Sequence, residues 1–173
     1  MKIALIGYGK MGKIIEQVAV SRGHQIALKI DLENIDAFNK ENLSAVDVAI
    51  EFTGPHTAFE NVLKCIKFQT PVVCGSTGWL NHISEVEDSC KNNEGSFIYA
   101  SNFSVGVNIF FELNKKLAQL MAGQTQYEIS IKEIHHTHKK DAPSGTAITL
   151  AEDVMANNSQ KNKWVNEQSN KLN

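Results

Sequence analysis

The sequence lacks the features that mark several broad classes of protein. Its three cysteines, Cys65, Cys74 and Cys90, are odd in number and form neither a C-x-x-C pair nor a metal-ligand spacing, which argues against a secreted disulfide framework. No stretch approaches the ~18 consecutive apolar residues of a membrane span, and the N-terminus has no signal-peptide core or cleavage site. We therefore expect buried, reduced thiols in a cytoplasmic protein with no membrane partner.

An excess of charge of either sign is also missing. The 17 basic and 19 acidic residues give a formal net charge of −2, so there is no electrostatic case for binding nucleic acid or an anionic membrane. The hydrophobic fraction of 42% and the charged fraction of 21% are typical of a globular protein. A chain of 173 residues is long enough for one domain and part of a second.

Short apolar runs alternate with longer helical patterns up to Ala100. Nearly continuous apolar strands separated by helices indicate a parallel sheet that is covered on both faces. The predicted strands are 2–6, 25–30, 46–52, 71–74 and 96–100, and the predicted helices are 11–22, 56–68 and 80–92.

The pattern changes after Ala100, which suggests a second domain. A long amphipathic helix is followed by a segment in which side-chain character alternates, as in a strand with one covered face. A polar loop and another helix come next. The predicted domains are 1–102 and 103–173, and the second contains a helix at 105–121, a strand at 126–134, a loop at 135–144 and a helix at 145–155.

A G-x-G-x-x-G motif, Gly7 to Gly12, follows the first strand and opens the first helix. This is the context in which such a motif binds a dinucleotide: Gly7 permits a tight turn, Gly9 lets the backbone approach a pyrophosphate, and Gly12 lets helix and strand pack closely. The helix N-terminus then attracts the phosphate charge. The alternative is a glycine-rich turn that holds no ligand.

An acidic residue is expected at the end of the second strand, about 20 residues after the motif, to hold the ribose hydroxyls. Asp31 stands there, and its carboxylate would repel a 2′-phosphate, which favours NADH over NADPH. Lys29 leaves a phosphate contact open, and Asp31 could also be a simple turn residue.

Two further strand ends should line the same crevice, because open parallel sheets bind ligands beyond the carboxyl ends of their strands. The third predicted strand ends in Phe52-Thr53-Gly54, and the fourth ends in Gly75-Ser76-Thr77-Gly78. Small and hydroxyl-bearing residues there leave room for the nicotinamide ribose and offer it hydrogen bonds.

The segment from Glu133 to Ala147 contains three histidines and two lysines in front of a helix start. Histidine is the usual proton donor near neutral pH, and the helix entry Pro143-Ser144-Gly145-Thr146 offers backbone N–H groups to a carboxylate. The segment therefore suits a small dianionic substrate. A zinc site and a solvated polar loop are the alternatives, although the adjacent His135 and His136 would point apart in a strand.

The residues of this segment run from Glu133-Ile134-His135-His136 through Lys139 to Asp141-Ala142-Pro143-Ser144-Gly145-Thr146-Ala147. They resemble the signature of the dihydrodipicolinate reductase (4-hydroxy-tetrahydrodipicolinate reductase) family. The glycine motif, Glu51-Phe52-Thr53, Gly75 to Gly78 and Ser101 to Asn108 are similar to the family in the same order, and the resemblance extends to about Met155.

The resemblance implies a Rossmann-type α/β domain followed by part of an α+β substrate and oligomerisation domain. It implies NAD(P)H-dependent reduction of a cyclic dicarboxylate to tetrahydrodipicolinate, in the diaminopimelate route of lysine biosynthesis. His135 would be the general acid/base, Lys139 the proton donor, and His136, Gly145 and Thr146 would hold substrate. The implied coenzyme residues are Gly7, Tyr8, Gly9, Lys10, Met11, Gly12, Asp31, Thr53, Gly75, Ser76, Thr77, Ala100, Ser101, Asn102 and Phe103, with no metal ligand among them.

Members of the family are usually homotetramers and continue well beyond the length of this chain, which ends in a polar segment, 161–173. We therefore expect a C-terminal truncation within the second domain. Two other hypotheses are a nucleotide-binding module without turnover and a different Rossmann oxidoreductase acting on another small acid. The run from His135 to Thr146 argues against the latter.

Overall fold

The computed structural model of this protein describes residues 1–135, 137 and 142–166. The chain divides into two compact units, Met1–Ser101 and Asn102–Asn173. The described strands all lie in the first unit, and two long helices form the framework of the second.

The first unit is built on a sheet of five strands: β1 (Lys2–Ile6), β2 (Gln25–Ile30), β3 (Val48–Glu51), β4 (Val72–Cys74) and β5 (Phe97–Tyr99). The strand order is β2-β1-β3-β4-β5, and all four neighbouring pairs are parallel. The parallel sheet that was predicted is therefore confirmed. Because β2 and β3 lie on opposite sides of β1, a crevice is expected beyond the carboxyl ends of β1 and β3.

Helices connect successive strands of the sheet. Helix α1 (Lys10–Ser21) leads from β1 to β2, α3 (Ala58–Lys67) from β3 to β4, and α4 (Ile83–Asn92) from β4 to β5, preceded by a 3-10 turn at Leu80–His82. The bounds of these strands and helices differ from the predicted ones by no more than two residues at an end, except that α4 begins three residues later than predicted, after the 3-10 turn. Gly23, with a φ of +76°, ends α1 as predicted.

Both faces of the sheet are covered by apolar side chains. Ile3 and Leu5 of β1 pack with Ala19 of α1 on one face, and Ala4 and Ile6 belong to the larger cluster on the other face. Each fully buried side chain of the Ile or Leu type contributes roughly 1.5–3 kcal/mol. This double burial explains why the strand sequences are nearly continuous apolar runs. The larger cluster also contains Ile30, Phe38, Leu43, Ala49, Ala58, Val62, Cys65, Ile66, Val72, Cys74, Trp79 and Val86.

The connection from β2 to β3 contains two short helices that the apolar pattern did not predict. They are a 3-10 segment, Leu32–Ala37, and α2 (Lys40–Leu43). Each starts at a capping side chain: Asp31 accepts a hydrogen bond from the N–H of Leu32, and Asn39 accepts one from the N–H of Asn42. Capping of this kind, rather than an apolar stripe, defines such short elements.

The second unit contains α5 (Val105–Met121) and α6 (Gly145–Asn157). Serine caps both helices, Ser104 for α5 and Ser144 for α6. The two helices pack on each other through Ala118, Leu150 and Val154, which are all buried. The amide Nδ2 of Asn114 on α5 also donates a hydrogen bond of 2.9 Å to the carbonyl of Leu150 on α6.

The prediction of a strand at 126–134 is wrong, because these residues form no strand. They lie in an irregular segment that is tied to a later part of the chain by the ion pair of Lys161 with Glu128, 2.8 Å from N to O. An alternating sequence gives a strand its two faces, but a strand also needs a neighbour for its backbone hydrogen bonds. Within the described residues of the second unit, no strand lies beside this segment.

Among the helices that the structure describes, none has both the length and the apolar character required to cross a membrane.

Candidate functional site

A cavity of about 350 Å³ opens at the carboxyl ends of β1, β3 and β4. It lies where the order of the strands predicts a ligand site. The loop after each of these three strands contributes to its wall, so residues far apart in the sequence meet there. The lining residues are Gly9, Lys10, Met11, Phe52, Thr53, Gly54, Pro55, Gly75, Ser76 and Thr77.

The three glycines of the G-x-G-x-x-G motif have different physical roles. A Cβ on Gly7, whose φ is +92°, would lie 2.3 Å from the carbonyl oxygen of Phe52, and a Cβ on Gly12 would lie 2.3 Å from the carbonyl oxygen of Gly7. These two glycines are therefore required by the packing of the chain itself. A Cβ on Gly9 would meet no atom within 4 Å, so the folded chain alone does not require glycine at position 9.

The open space at Gly9 adjoins the cavity and the start of α1. This is the position at which a backbone without a side chain lets a pyrophosphate approach the helix N-terminus. The residues present therefore fit a dinucleotide.

Glu51, at the end of β3, is a completely buried carboxylate directly behind the cavity wall. Its Oε1 accepts a hydrogen bond of 3.0 Å from the backbone N–H of Thr53 and another from the hydroxyl of the same threonine. Its Oε2 lies 2.9 Å from the Sγ of Cys74. Hydrogen-bonding partners of this kind offset the cost of burying a carboxylate, and they hold Thr53 against the cavity.

The buried thiols near this carboxylate are poor nucleophiles. Burial, and then the hydrogen bond to Glu51, raises the pKa of Cys74, and burial raises the pKa of Cys65 to about 12. All three cysteines are free, Cys65 and Cys74 are buried, and Cys90 is partly buried. The thiols thus behave as small apolar side chains, as the composition predicts.

The loop after β4 is held from beneath by Trp79, which is 1% exposed. Its indole Nε1 donates a hydrogen bond of 2.7 Å to the carbonyl of Ser76. Ser76 and Thr77 are therefore presented to the cavity by a buried aromatic side chain, which the sequence reasoning did not assign to the site.

Asp31 follows β2 at the expected position, but its side chain is occupied as a cap. It accepts a hydrogen bond of 2.9 Å from the N–H of Leu32, and Asn34 Oδ1 accepts one of 2.7 Å from the N–H of Asp31. Both the coenzyme role and the turn role predicted for Asp31 are compatible with this geometry, because the residue is exposed to solvent.

The side chain of Tyr8, within the glycine motif, points to the neighbouring strand rather than to the cavity. Its hydroxyl donates a hydrogen bond to Glu16, and Lys29 Nζ lies 3.2 Å from that hydroxyl and 2.7 Å from Glu16 Oε1. Lys29, which could have contacted a phosphate, is thus in an ion pair with a carboxylate of α1.

The last coenzyme residues of the prediction fall at the boundary between the two units. Ala100 and Ser101 follow β5, and the N–H of Ala100 donates a hydrogen bond of 3.3 Å to the carbonyl of Cys74. Asn102 and Phe103 begin the second unit, where Asn102 Oδ1 accepts a hydrogen bond of 2.8 Å from the N–H of Ser104. None of these four residues lines the cavity at the ends of β1, β3 and β4.

In the second unit, Glu133 connects the predicted general acid/base to a helix start. One of its carboxylate oxygens lies 2.7 Å from Nε2 of His135. The same carboxylate accepts hydrogen bonds from the hydroxyl of Ser144 and, at 2.9 Å, from its backbone N–H. Glu133 therefore fixes the position of His135 relative to the first turn of α6.

These contacts also determine the charge of Glu133. The hydroxyl of Ser144, then His135 and the backbone N–H of Ser144, lower the pKa of Glu133 to about 2. The carboxylate is consequently ionised at neutral pH, and its negative charge lies beside Nε2 of His135.

Gly145 and Thr146 begin α6, as predicted, directly after the cap at Ser144. The first N–H groups of a helix have no partner within the helix, and here the N–H of Ala147 donates to the hydroxyl of Ser144. At this helix start, Ser144 caps the first turn and its own N–H is bonded to the carboxylate of Glu133. His136 and Lys139, the other two residues predicted for substrate and proton transfer, lie outside the described residues.

A second cavity, of about 810 Å³, lies in this unit. Glu133 lines it together with Pro143, Ala147, Ile148 and Val154, whereas His135, Gly145 and Thr146 do not. In the part of the chain that the structure describes, no three His, Cys, Asp or Glu side chains are grouped to hold a metal ion.

Two family models match the chain in succession. The model described as "Dihydrodipicolinate reductase, N-terminus" matches residues 1–103, and the one described as "Dihydrodipicolinate reductase, C-terminus" matches residues 106–172. The chain belongs to the dihydrodipicolinate reductase family. The resemblance seen in the histidine and glycine motifs is confirmed.

Three relatives named 4-hydroxy-tetrahydrodipicolinate reductase are similar over most of the chain. That of Christiangramia forsetii is 49% identical over 166 residues, which cover 95% of this chain and 68% of the relative. Those of Methanoregula boonei and Methanocaldococcus jannaschii are 35% and 37% identical, and cover 86% and 88% of this chain. The chain spans 62% and 49% of the length of these two relatives.

The fold of the chain is similar to that of a dipicolinate-bound dihydrodipicolinate reductase from Paenisporosarcina sp. TG-14. The TM-score is 0.70 at 24% sequence identity, and the match covers 100% of this chain and 71% of the other. The Rossmann-type fold that was predicted is thereby confirmed.

Three carboxylates that contact residues considered for the predicted sites were given no role in the sequence analysis. They are Glu16, Glu51 and Glu133, and each interacts with a residue that was predicted or considered for the site. The available signal was position: Glu51 ends an apolar strand, and Glu133 directly precedes the histidines. Glu16 lies within an ordinary helical pattern and carried no such signal.

Proposed function

We propose that this chain acts in the NAD(P)H-dependent reduction of 4-hydroxy-tetrahydrodipicolinate to tetrahydrodipicolinate, a step of the diaminopimelate route of lysine biosynthesis. The observation that carries the proposal is the open position at Gly9 beside the cavity, where the glycine is required by no neighbour in the chain. The names of the relatives support the choice of substrate.

In this proposal residues 1–102 hold the coenzyme, whose reduced nicotinamide supplies a hydride when bound. Gly9, Lys10 and Met11 receive the pyrophosphate at the N-terminus of α1. Thr53 and the loop from Gly75 to Thr77 contact the nicotinamide ribose, with Thr53 held in place by Glu51. Asp31, Ala100, Ser101, Asn102 and Phe103 complete the proposed contacts.

Residues 103–173 hold the substrate and provide the proton in this proposal. His135 acts as the general acid/base and is kept in position by the ionised carboxylate of Glu133. Gly145 and Thr146 bind a substrate carboxylate at the start of α6. His136 and Lys139 are proposed by family resemblance to bind substrate and to donate a proton.

We propose that NADH is preferred over NADPH. The carboxylate of Asp31 repels a 2′-phosphate, and Lys29 is already paired with Glu16. A homotetramer of the full-length protein and a cytoplasmic location remain predictions that follow from the resemblance and the composition.

Turnover is the direct test of this function. The chain is incubated with NADH and 4-hydroxy-tetrahydrodipicolinate, and substrate-dependent loss of NADH absorbance is measured beside the His135→Ala variant. Loss that requires substrate and falls in the variant supports the proposal. Binding of NADH without any turnover supports the nucleotide-binding module instead, and absence of both overturns the coenzyme assignment.

A further inference from the structure

The side chains of Tyr8, Glu16 and Lys29 form a polar cluster at the glycine motif. Glu16 pairs with Lys29 at 2.7 Å and accepts a hydrogen bond from the Tyr8 hydroxyl. Lys29 Nζ lies 3.2 Å from the same hydroxyl and 4.7 Å from the centre of the tyrosine ring. Each member therefore contacts both of the others.

The cluster lies at the end of the sheet where the adenosine part of a dinucleotide is expected. Tyr8 belongs to the motif, and Lys29 precedes Asp31 near the carboxyl end of β2, in register with Leu5 of β1. This location matters only if the chain binds a nicotinamide dinucleotide, so the inference rests on the proposed function.

The charges of the cluster bear directly on a 2′-phosphate. Lys29 is a cation beside the expected ribose position and could bind this phosphate. Glu16 cancels its charge, and the exposed carboxylate of Asp31 adds a negative charge nearby. Lys29, Glu16 and Asp31 together carry a net charge of −1, which repels a second anion. Without the carboxylate of Glu16 the net charge is zero, and Lys29 is available to bind the phosphate.

We propose that Glu16 determines coenzyme specificity: by pairing with Lys29 it withholds this cation from the 2′-phosphate of NADPH and thereby favours NADH. Glu16 acts through Lys29 and is a positioning residue, not a catalytic one. The side chains of Lys29 and Glu16 are 42% and 25% exposed, so solvent and ligand both reach the pair.

The pair stays charged through the neutral range, because each member stabilises the ionised form of the other. The hydrogen bond to Lys29, followed by that from Tyr8, lowers the pKa of Glu16. The hydrogen bond to Glu16, followed by that to Tyr8, raises the pKa of Lys29.

The experiment is a pair of fluorescence titrations of the 173-residue chain, one with NADH and one with NADPH. The variants are Glu16→Gln, Lys29→Met and the double variant, and the matched control is Glu60→Gln, an exposed carboxylate on α3. Glu16→Ala serves as a second variant if the glutamine side chain disturbs folding, which circular dichroism reveals.

We expect Glu16→Gln to tighten NADPH binding by about tenfold and to leave the Kd for NADH within about twofold. Adding Lys29→Met to it should remove the gain, and Glu60→Gln should change neither Kd. If the pair of Glu16 and Lys29 served only to hold α1 against β2, breaking it would weaken the binding of both coenzymes alike.

The inference is overturned if Glu16→Gln leaves the ratio of the two Kd values unchanged, or if the double variant retains the gain for NADPH. If the unaltered chain binds neither coenzyme, the proposed function itself fails and the inference fails with it. Binding of both coenzymes with an unchanged ratio overturns the inference alone.

Discussion

The ring of Phe52 lies where a side chain on Gly75 would have to stand. A Cβ on Gly75 would be 2.0 Å from Cζ of that ring and 2.3 Å from its Cε1. Phe52 follows β3 and Gly75 follows β4, so this contact joins two loops of the cavity wall. The shape of the cavity thus depends on the absence of a methyl group at position 75.

Gly75→Ala should therefore push Phe52 from its position and narrow the cavity. Overpacking of this kind costs about 1–3 kcal/mol of unfolding free energy, and NADH binding should weaken as well. Urea unfolding and an NADH titration measure the two effects. The matched control is Gly54→Ala in the same cavity wall, where a Cβ would meet no atom within 4 Å; equal losses in both variants would contradict the argument.

Gly9 and Gly7 should respond to substitution in opposite ways. Gly9 has an extended backbone that accepts a side chain, with a φ of −76°, and open space at its Cβ. Gly9→Val should weaken NADH binding by at least about tenfold and leave the unfolding free energy nearly unchanged.

Gly7→Ala should instead destabilise the fold by about 1–3 kcal/mol, because the positive φ and the contact with Phe52 both oppose a Cβ. Urea unfolding and NADH titration of the two variants provide the comparison. Unchanged NADH affinity in Gly9→Val would refute the pyrophosphate assignment.

The sheet could be predicted because each buried strand is recognisable from its own residues, as a short apolar run. The four residues Ile3–Ile6 of β1 are buried, so each of them is apolar, and Gly23 ends α1 through its own conformation. The segment 126–134 shows the limit of this reasoning. Its alternation was read correctly, but pairing depends on another strand, which no local pattern supplies.

Long-range polar contacts could not be predicted from the sequence for a related reason. Glu51 meets Cys74, and Glu16 meets Lys29, only because neighbouring strands and a packed helix bring them together. The glycine motif and the residues from His135 to Thr146 could be predicted because a short stretch of chain carries most of each pattern.

The proposed proton donors should be separable from the proposed substrate contacts by kinetics. His135→Ala and Lys139→Ala should each lower kcat by roughly 10²–10⁴-fold, the range expected for general acid catalysis. Thr146→Val should mainly raise KM, because it removes a contact to a substrate carboxylate and no proton. All three should bind NADH nearly as the unaltered chain does, since the proposed coenzyme residues lie elsewhere. A His135→Ala variant with near-normal kcat would overturn the general acid assignment.

The pKa of Glu133 leads to a prediction for acid stability. This pKa is lowered to about 2 in the folded chain from an ordinary value of 4.5. Above about pH 4.5 the carboxylate is ionised in both the folded and the unfolded state, so its contacts with Ser144 and His135 contribute fully. As the pH falls from about 4.5 towards 2, the unfolded chain binds the proton first, and this contribution is lost.

Glu133→Gln should consequently lower the unfolding free energy near neutral pH, and the gap to the unaltered chain should narrow as the pH falls from about 4.5 to about 3. Urea unfolding followed by circular dichroism at about pH 7, 5 and 3 measures this gap. Glu152→Gln, an exposed carboxylate on α6 of the same unit, is the control and should show no comparable change with pH. If the difference in unfolding free energy between Glu133→Gln and the unaltered chain stayed constant over this range, the destabilisation would arise from altered packing at Ser144. The carboxylate would then not serve as the charged link between His135 and the start of α6.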